Sequence, residues 1–76
     1  MHTMQWLTAH SFARVRGVKA RRAQEILSAW FAAPSAGTPR VERVPSRRGR
    51  PALRVLAADV AALYAVDLED VQQLAA

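Results

Sequence analysis

The segment LTAHSFARVRG near the N-terminus constrains the fold most, because both ends of a short helix are marked in it. Thr8 is a favoured N-cap residue, and Leu7 before it can pack on Phe12 as a hydrophobic staple. Gly17 supplies the left-handed residue that commonly ends a helix. The sequence therefore predicts a helix over residues 9–16 and a sharp turn directly after it.

A second helix is predicted to follow almost at once, in KARRAQEILSAWFAA. With successive residues 100° apart, its apolar residues fall on one arc of about 140°. That arc contains Ala20, Ala23, Ile26, Leu27, Trp30 and Phe31. The opposite face contains Arg21, Arg22, Glu25, Ser28 and Ala29. This is an amphipathic pattern, and Pro34 and Gly37 are expected to end the helix in a loop.

Two segments rich in valine and leucine, RVERVP and ALRVLA, flank the basic stretch SRRGRP. Short strands on either side of a glycine-containing connection predict a β-hairpin. Val41 and Val44 differ by an odd number, which breaks the alternation of faces and favours a bulge or an edge strand.

Two further helices are predicted in the C-terminal part of the chain. The first begins near Ala57, and its apolar face contains Val60, Leu63 and Tyr64. Asp67 is a candidate N-cap of the second, over about 68–76, and the acidic residues after it suit the positive end of a helix. So short a helix is not stable alone. It is expected to dock on the domain or on a partner through Leu68, Val71 and Leu74.

The 76 residues predict one small domain, with residues 1–5 flexible and residues 66–76 available for dimerisation. Cysteine is absent and His2 and His10 are the only histidines, so no metal site and no cofactor are expected. No apolar run approaches the ~20 residues that span a bilayer, so no membrane partner is expected. A secretory signal pattern is also lacking, which predicts a cytoplasmic protein.

Charge is strongly segregated along the sequence. All eleven lysines and arginines lie between Arg14 and Arg54, and only Glu25 and Glu42 oppose them before residue 57, a net charge of +9. Residues 57–76 carry four acidic residues and no basic one, a net charge of −4. A basic body with an acidic tail favours a polyanionic partner, most simply nucleic acid.

The spacing around the glycine turn resembles the DNA-binding helix-turn-helix. Ala13 lies four residues before Gly17 and is small enough for close helix approach, and apolar residues follow at Val18, Ala23 and Ile26. A helical hairpin that served only the core would satisfy these positions equally well. It would not explain the basic start of the second helix, at Lys19, Arg21 and Arg22.

A longer resemblance covers residues 6–64. WLTAHSFARVRGVKARRAQEIL is similar to the opening of small winged-helix proteins of the excisionase and MerR-like group, and LRVLAADVAALY is similar to their last strand and closing helix. The Mu-type DNA-binding domains of phage transposases and repressors share this plan, and both groups stay open. The resemblance implies an α+β, mostly α fold: a winged helix-turn-helix with a β-hairpin wing and C-terminal helices.

The resemblance also implies a set of DNA-binding residues. On the second helix, base edges in the major groove would be met by Arg21, Arg22, Glu25 and Ser28. Phosphates would be held by Arg16, Lys19 and the N-terminus of the first helix at Thr8 to His10. The hairpin would contribute Arg43, Arg47, Arg48 and Arg50. Its RGRP core, residues 48–51, resembles the AT-hook, whose arginines enter a narrow A·T minor groove.

The expected function is sequence-specific binding of double-stranded DNA, by a transcriptional regulator or an excisionase-like recombination factor of a phage or mobile element. A homodimer or cooperative oligomer is among the expected assemblies. No paired carboxylates, nucleophile–base pair or phosphate-cradling loop is present, so neither an enzyme nor a small-molecule substrate is expected. The alternatives are a protein-interaction module that uses the alanine-rich C-terminal helices and an RNA-binding winged helix. Against the latter, Trp30 and Phe31 are expected to be buried.

Overall fold

The computed structural model describes residues 5–45 and 52–75 of the chain. Within them lie four helices and one three-stranded antiparallel sheet, which form a small α+β domain. The elements in chain order are β1 (Trp6–Thr8), α1 (Ala9–Arg16), α2 (Ala20–Ala32), β2 (Val41–Val44), β3 (Ala52–Leu56), α3 (Ala57–Leu63) and α4 (Leu68–Ala75). No helix in this described part of the chain is long and apolar enough to cross a membrane.

Helix α1 begins and ends as the sequence predicts. The Ser11 amide donates a hydrogen bond to Thr8 Oγ1 over 3.1 Å, which caps the first turn. Gly17 is left-handed, with a φ of 69°, and its amide donates to the Arg14 carbonyl. The next amide, from Val18, donates to the Ala13 carbonyl over 3.0 Å. This pair of bonds is the Schellman motif, which satisfies the last carbonyls of α1 and turns the chain into α2.

Strand β3 is the centre of the sheet, in the order β1-β3-β2. Its pairing with β2 runs without interruption from Val41 opposite Val55 to Val44 opposite Ala52, so β2 is a regular edge strand rather than a bulged one. Connection residues 46–51 lie outside the described residues, and with them most of the predicted wing.

Strand β1 is a feature that the sequence reading missed. The sequence analysis predicted no strand before α1, but Leu7 pairs opposite Val55 on the edge of β3 that β2 leaves unpaired. The Gln5 carbonyl accepts a hydrogen bond from the Ala57 amide over 2.9 Å. Gln5 thus makes a backbone contact with the start of α3, while residues 1–4 of the segment expected to be flexible lie outside the described part.

The core lies where α1, α2 and α3 meet β3. Its fully buried large side chains are Phe12, Leu27, Val55, Val60 and Val71. Phe12 also meets Trp30 edge to face, with ring centroids 5.5 Å apart, a favourable aromatic arrangement. Helix α4 contributes only Val71 to this fully buried set.

The predicted apolar arc of α2 is correct in its middle and wrong at its edge. Ala23 and Leu27 are buried, whereas Ala20 is exposed and Phe31 is 39% exposed. The ring of Phe31 is instead approached by the Arg43 guanidinium of β2, 5.5 Å from the ring centroid. The core is too thin to cover an arc of 140°.

Only part of the predicted C-terminal apolar face is buried in the domain. Val60 and Val71 are fully buried, as predicted. The three leucines of this face are exposed: Leu63, Leu68 and Leu74. Leu68 and Leu74 lie three residues from Val71 on the same side of α4, but of these three the domain covers only Val71.

Helix α3 ends with the same hydrogen bonds as α1, but without glycine. The Ala65 amide donates to the Ala62 carbonyl, and the Val66 amide donates to the Ala61 carbonyl over 3.0 Å. Ala65 therefore holds the left-handed position with a φ of 54°. An L residue with a Cβ is strained there, by about 1–2 kcal/mol.

Both left-handed turns are predicted to be more stable with glycine than with alanine. Ala65→Gly should raise the free energy of unfolding by about 0.5–1 kcal/mol, because strain is relieved and only part of the gain is lost to unfolded-chain entropy. Gly17→Ala should lower it by about 1 kcal/mol through backbone strain, since no atom lies within 4 Å of a Cβ added there. Urea unfolding followed by circular dichroism measures both, and a loss of stability in Ala65→Gly would contradict the account.

Candidate nucleic-acid interface

The outward face of α2 is exposed as predicted. Arg21, Arg22, Glu25 and Ser28 all lie on the solvent side of the helix. The Arg21 side chain is 93% exposed, more than those of Arg22 and Glu25. Ala23 and Leu27, on the opposite side, anchor the helix in the core. The basic side chains therefore lie on the face of α2 opposite its buried residues.

The first turn of α2 contradicts the ordinary rules of helix stability. Its N-cap is Lys19, whose side chain makes no capping hydrogen bond, and the first turn contains no acidic residue. Lys19, Arg21 and Arg22 instead put three positive charges at the positive end of the helix dipole. The first amides of any helix also lack intrahelical acceptors. The turn is consequently suited to an external anion that accepts from the amides and neutralises the cations.

Glu25 holds the two arginines of this face in the unbound protein. Arg22 Nη1 donates to Glu25 Oε2 over 3.3 Å, and Arg21 Nε lies 3.9 Å from Glu25 Oε1. Exposed pairs at these helical spacings contribute only about 0.2–0.5 kcal/mol each. Either arginine can thus leave Glu25 for a stronger anionic partner at little cost, and the carboxylate is then available to accept from a donor on that partner.

A concave surface, here called the α1–hairpin groove, lies between the start of α1, the side of α2 and strands β2 and β3. Its volume is about 670 Å³. Ser28 and Gln24 line it from α2, His10 from the first turn of α1, and Val44 and Ala52 from the strand ends that lead into residues 45–51. The structure therefore brings together one residue of the predicted α2 face, the α1 N-terminus and the base of the hairpin.

Arg54 also lines this groove and was not among the predicted site residues. Its guanidinium lies 4.4 Å from the ring centroid of Trp6, and its Nη2 donates to Glu42 Oε2 over 2.8 Å. Glu42 and Arg54 are directly opposite in the β2–β3 register, so the hairpin alignment could have revealed the pair. The stack on Trp6 depends on strand β1, which was not predicted from the sequence. In the described part of the chain the buried Arg54 Nε has no hydrogen-bond partner.

The remaining predicted cations are distributed more widely. The Arg16 guanidinium lies over the Tyr64 ring at 4.6 Å and lines a different groove, between α1 and α4, so it is not brought to the α1–hairpin groove. Arg43 is exposed on β2 beside Phe31. The other three hairpin arginines lie outside the described residues: Arg47, Arg48 and Arg50.

Two further findings bear on the site. Across residues 5–45 and 52–75, no three histidine, aspartate or glutamate side chains are grouped so that they could hold a metal ion. Compared with protein-family models, with curated proteins and with solved structures, the chain gives no match.

The unfavourable first turn of α2 predicts that stability can be gained there. Lys19→Asp should raise the free energy of unfolding by about 1 kcal/mol, because it adds a capping carboxylate and a negative charge at the positive end of the helix. Lys19→Ala is the matched control, which removes the charge without adding a cap and should gain only a few tenths of a kcal/mol. Thermal or urea unfolding compares the two, and a loss of stability in Lys19→Asp would show that Lys19 stabilises the fold.

Proposed function

We propose that this protein binds double-stranded DNA sequence-specifically, as a winged helix-turn-helix domain with α2 as its recognition helix. The observation that carries the proposal is the exposed first turn of α2, where Lys19, Arg21 and Arg22 lie at the positive end of the helix dipole, an unfavourable place for cations. Local stability is given up there, as is common at functional sites. A DNA backbone supplies the anion that this turn lacks.

The topology supports this choice of fold. Strand, helix, tight turn, helix and two antiparallel strands follow one another in β1 to β3. The β2–β3 connection, residues 45–51, would be the wing. Helix α2 has 13 residues and is about 20 Å long, with a diameter of ~10–12 Å that suits a major groove about 12 Å wide. The other helices are shorter, and α3 and α4 carry acidic residues and no basic one.

The proposed contacts follow from the exposure of the side chains. Arg21 and Arg22 would exchange Glu25 for guanine edges or phosphates, and Glu25 would then accept from a cytosine amino group. Lys19 would hold a phosphate at the turn. The arginines of residues 45–51 would enter an adjacent minor groove, where A·T-rich sequence concentrates negative potential. Arg16 is left out of these proposed contacts, since its guanidinium is stacked on Tyr64 and lines a different groove.

The biological role rests on the resemblance to excisionase, MerR-like and Mu-type domains. It is that of a transcriptional regulator or a recombination accessory factor of a phage or mobile element, acting in the cytoplasm. A protein-interaction module is the second candidate function, favoured by the exposed apolar side chains of the C-terminal helices, at Leu63, Val66, Leu68 and Leu74.

The salt dependence of binding to DNA duplexes from a genomic fragment pool tests the proposal. If five or six cations contact phosphates, the logarithm of the association constant should fall with the logarithm of salt concentration with a slope of about −4 to −6. Arg21→Ala should weaken binding at least fivefold, or about 1 kcal/mol. Fluorescence anisotropy gives both the slope and the affinity.

Arg40→Ala is the matched control, because it removes the same charge beyond the other end of α2. Arg40 lines a cavity formed by the α2–β2 loop and α3 rather than the α1–hairpin groove. Its backbone amide bond to Asp59 does not depend on its side chain. Absent or salt-insensitive binding would refute the proposal, and so would equal losses in Arg21→Ala and Arg40→Ala.

A further inference from the structure

The exposed apolar side chains of the domain are concentrated at one place. Within residues 5–45 and 52–75, five large apolar side chains are exposed, and four of them lie between Leu63 and Leu74. Leu74 is 55% exposed and Val66 is 45% exposed. Such a concentration on a small soluble domain commonly marks an interaction surface.

Two of these side chains, Val66 and Leu74, line a groove of about 480 Å³ between α1 and α4. Val15 and Tyr64 complete its apolar lining, and none of its lining residues belongs to α2 or to the sheet. This α1–α4 groove is therefore distinct from the α1–hairpin groove proposed to face DNA.

The α1–α4 groove contains one cation and one anion, Arg16 and Asp70. The stack on Tyr64 orders the Arg16 side chain in advance, which lowers the entropy lost when a partner is bound. In the described part of the chain, neither Arg16 nor Asp70 forms an ion pair within 4.0 Å. Each charge is therefore available to an opposite charge on a partner.

We propose that the α1–α4 groove is the interface at which a second copy of this chain docks about a two-fold axis. A two-fold interface must be complementary to itself, because the same patch meets on both copies. A patch with one cation, one anion and an apolar lining meets this condition: Arg16 of each copy faces Asp70 of the other, and Leu74 of each packs into the opposite groove.

Charge also determines which side of α4 forms the contact. Residues 57–76 contain acidic residues and no basic one, so packing two α4 helices along the side of Glu69 would set like charges against each other. The side that carries Asp70 and Leu74 adjoins α1, and there Arg16 supplies the opposite charge. A purely basic partner would leave Arg16 facing a like charge, and a nucleic acid would meet Asp70.

Sedimentation equilibrium on the full chain without DNA tests the dimer separately from DNA binding. The 8.4 kDa chain should sediment with a concentration-dependent mass that approaches twice this value. Leu74→Gln should raise the dissociation constant at least tenfold. Leu63→Gln, an exposed leucine outside the groove, is the matched control and should leave it unchanged.

A charge exchange between copies tests the proposed pairing itself. Arg16→Asp alone and Asp70→Arg alone should each sediment as monomers, because each places like charges together twice in a symmetric dimer. An equimolar mixture of the two variants should dimerise, since both cross-pairs are then opposite in charge. Circular dichroism checks that each variant is folded.

Three outcomes would overturn the proposal. They are a wild-type chain that stays monomeric up to about 0.5 mM, an equal effect of Leu63→Gln and Leu74→Gln, and a mixture of the two charge variants that remains monomeric while the wild-type chain dimerises. Failure of DNA binding would leave the sedimentation result unaffected, so the two proposals stand or fall separately.

Discussion

Pairing of β3 on both of its edges is the constraint on which the rest of the structure depends. Val55 lies opposite Leu7 on one side and opposite Val41 on the other, and its side chain is fully buried. Helices α1, α2 and α3 all pack against this strand, and α4 is attached through α1 and α3. The α1–hairpin groove exists because β3 fixes the start of α1, the side of α2 and the strand ends relative to one another.

The distribution of charge then separates two surfaces on a very small core. The first turn of α2 contains cations where a helix would be more stable with a carboxylate, and in the proposed function these cations bind an anionic ligand. The α3–α4 region holds four of the six acidic residues and, among the described residues, four of the five exposed large apolar side chains. One surface is suited to a polyanion and the other to a protein, and α1 packs against both α2 and α4.

The sequence predicts what is determined by neighbours along the chain and misses what depends on distant ones. The bounds of α1 follow from Thr8 and Gly17, and the structure has them unchanged. Strand β1 has only three residues, and its partner at Val55 is 48 positions after Leu7, so no local pattern marks it. The exposure of Phe31 and the stack of Arg16 on Tyr64 likewise depend on elements far along the chain. The exposed face of α2 could therefore be predicted from the sequence, but the groove beside it could not.

The most direct test of DNA binding by α2 is to map the contact surface residue by residue. Amide resonances of the ¹⁵N-labelled protein would be followed during titration with a selected DNA duplex. We predict that the largest chemical-shift changes fall in residues 8–10 and 19–28 and in Arg43, while residues 63–74 change little. Changes confined to residues 63–74, or none at saturating DNA, would contradict the assignment of α2 as the recognition helix.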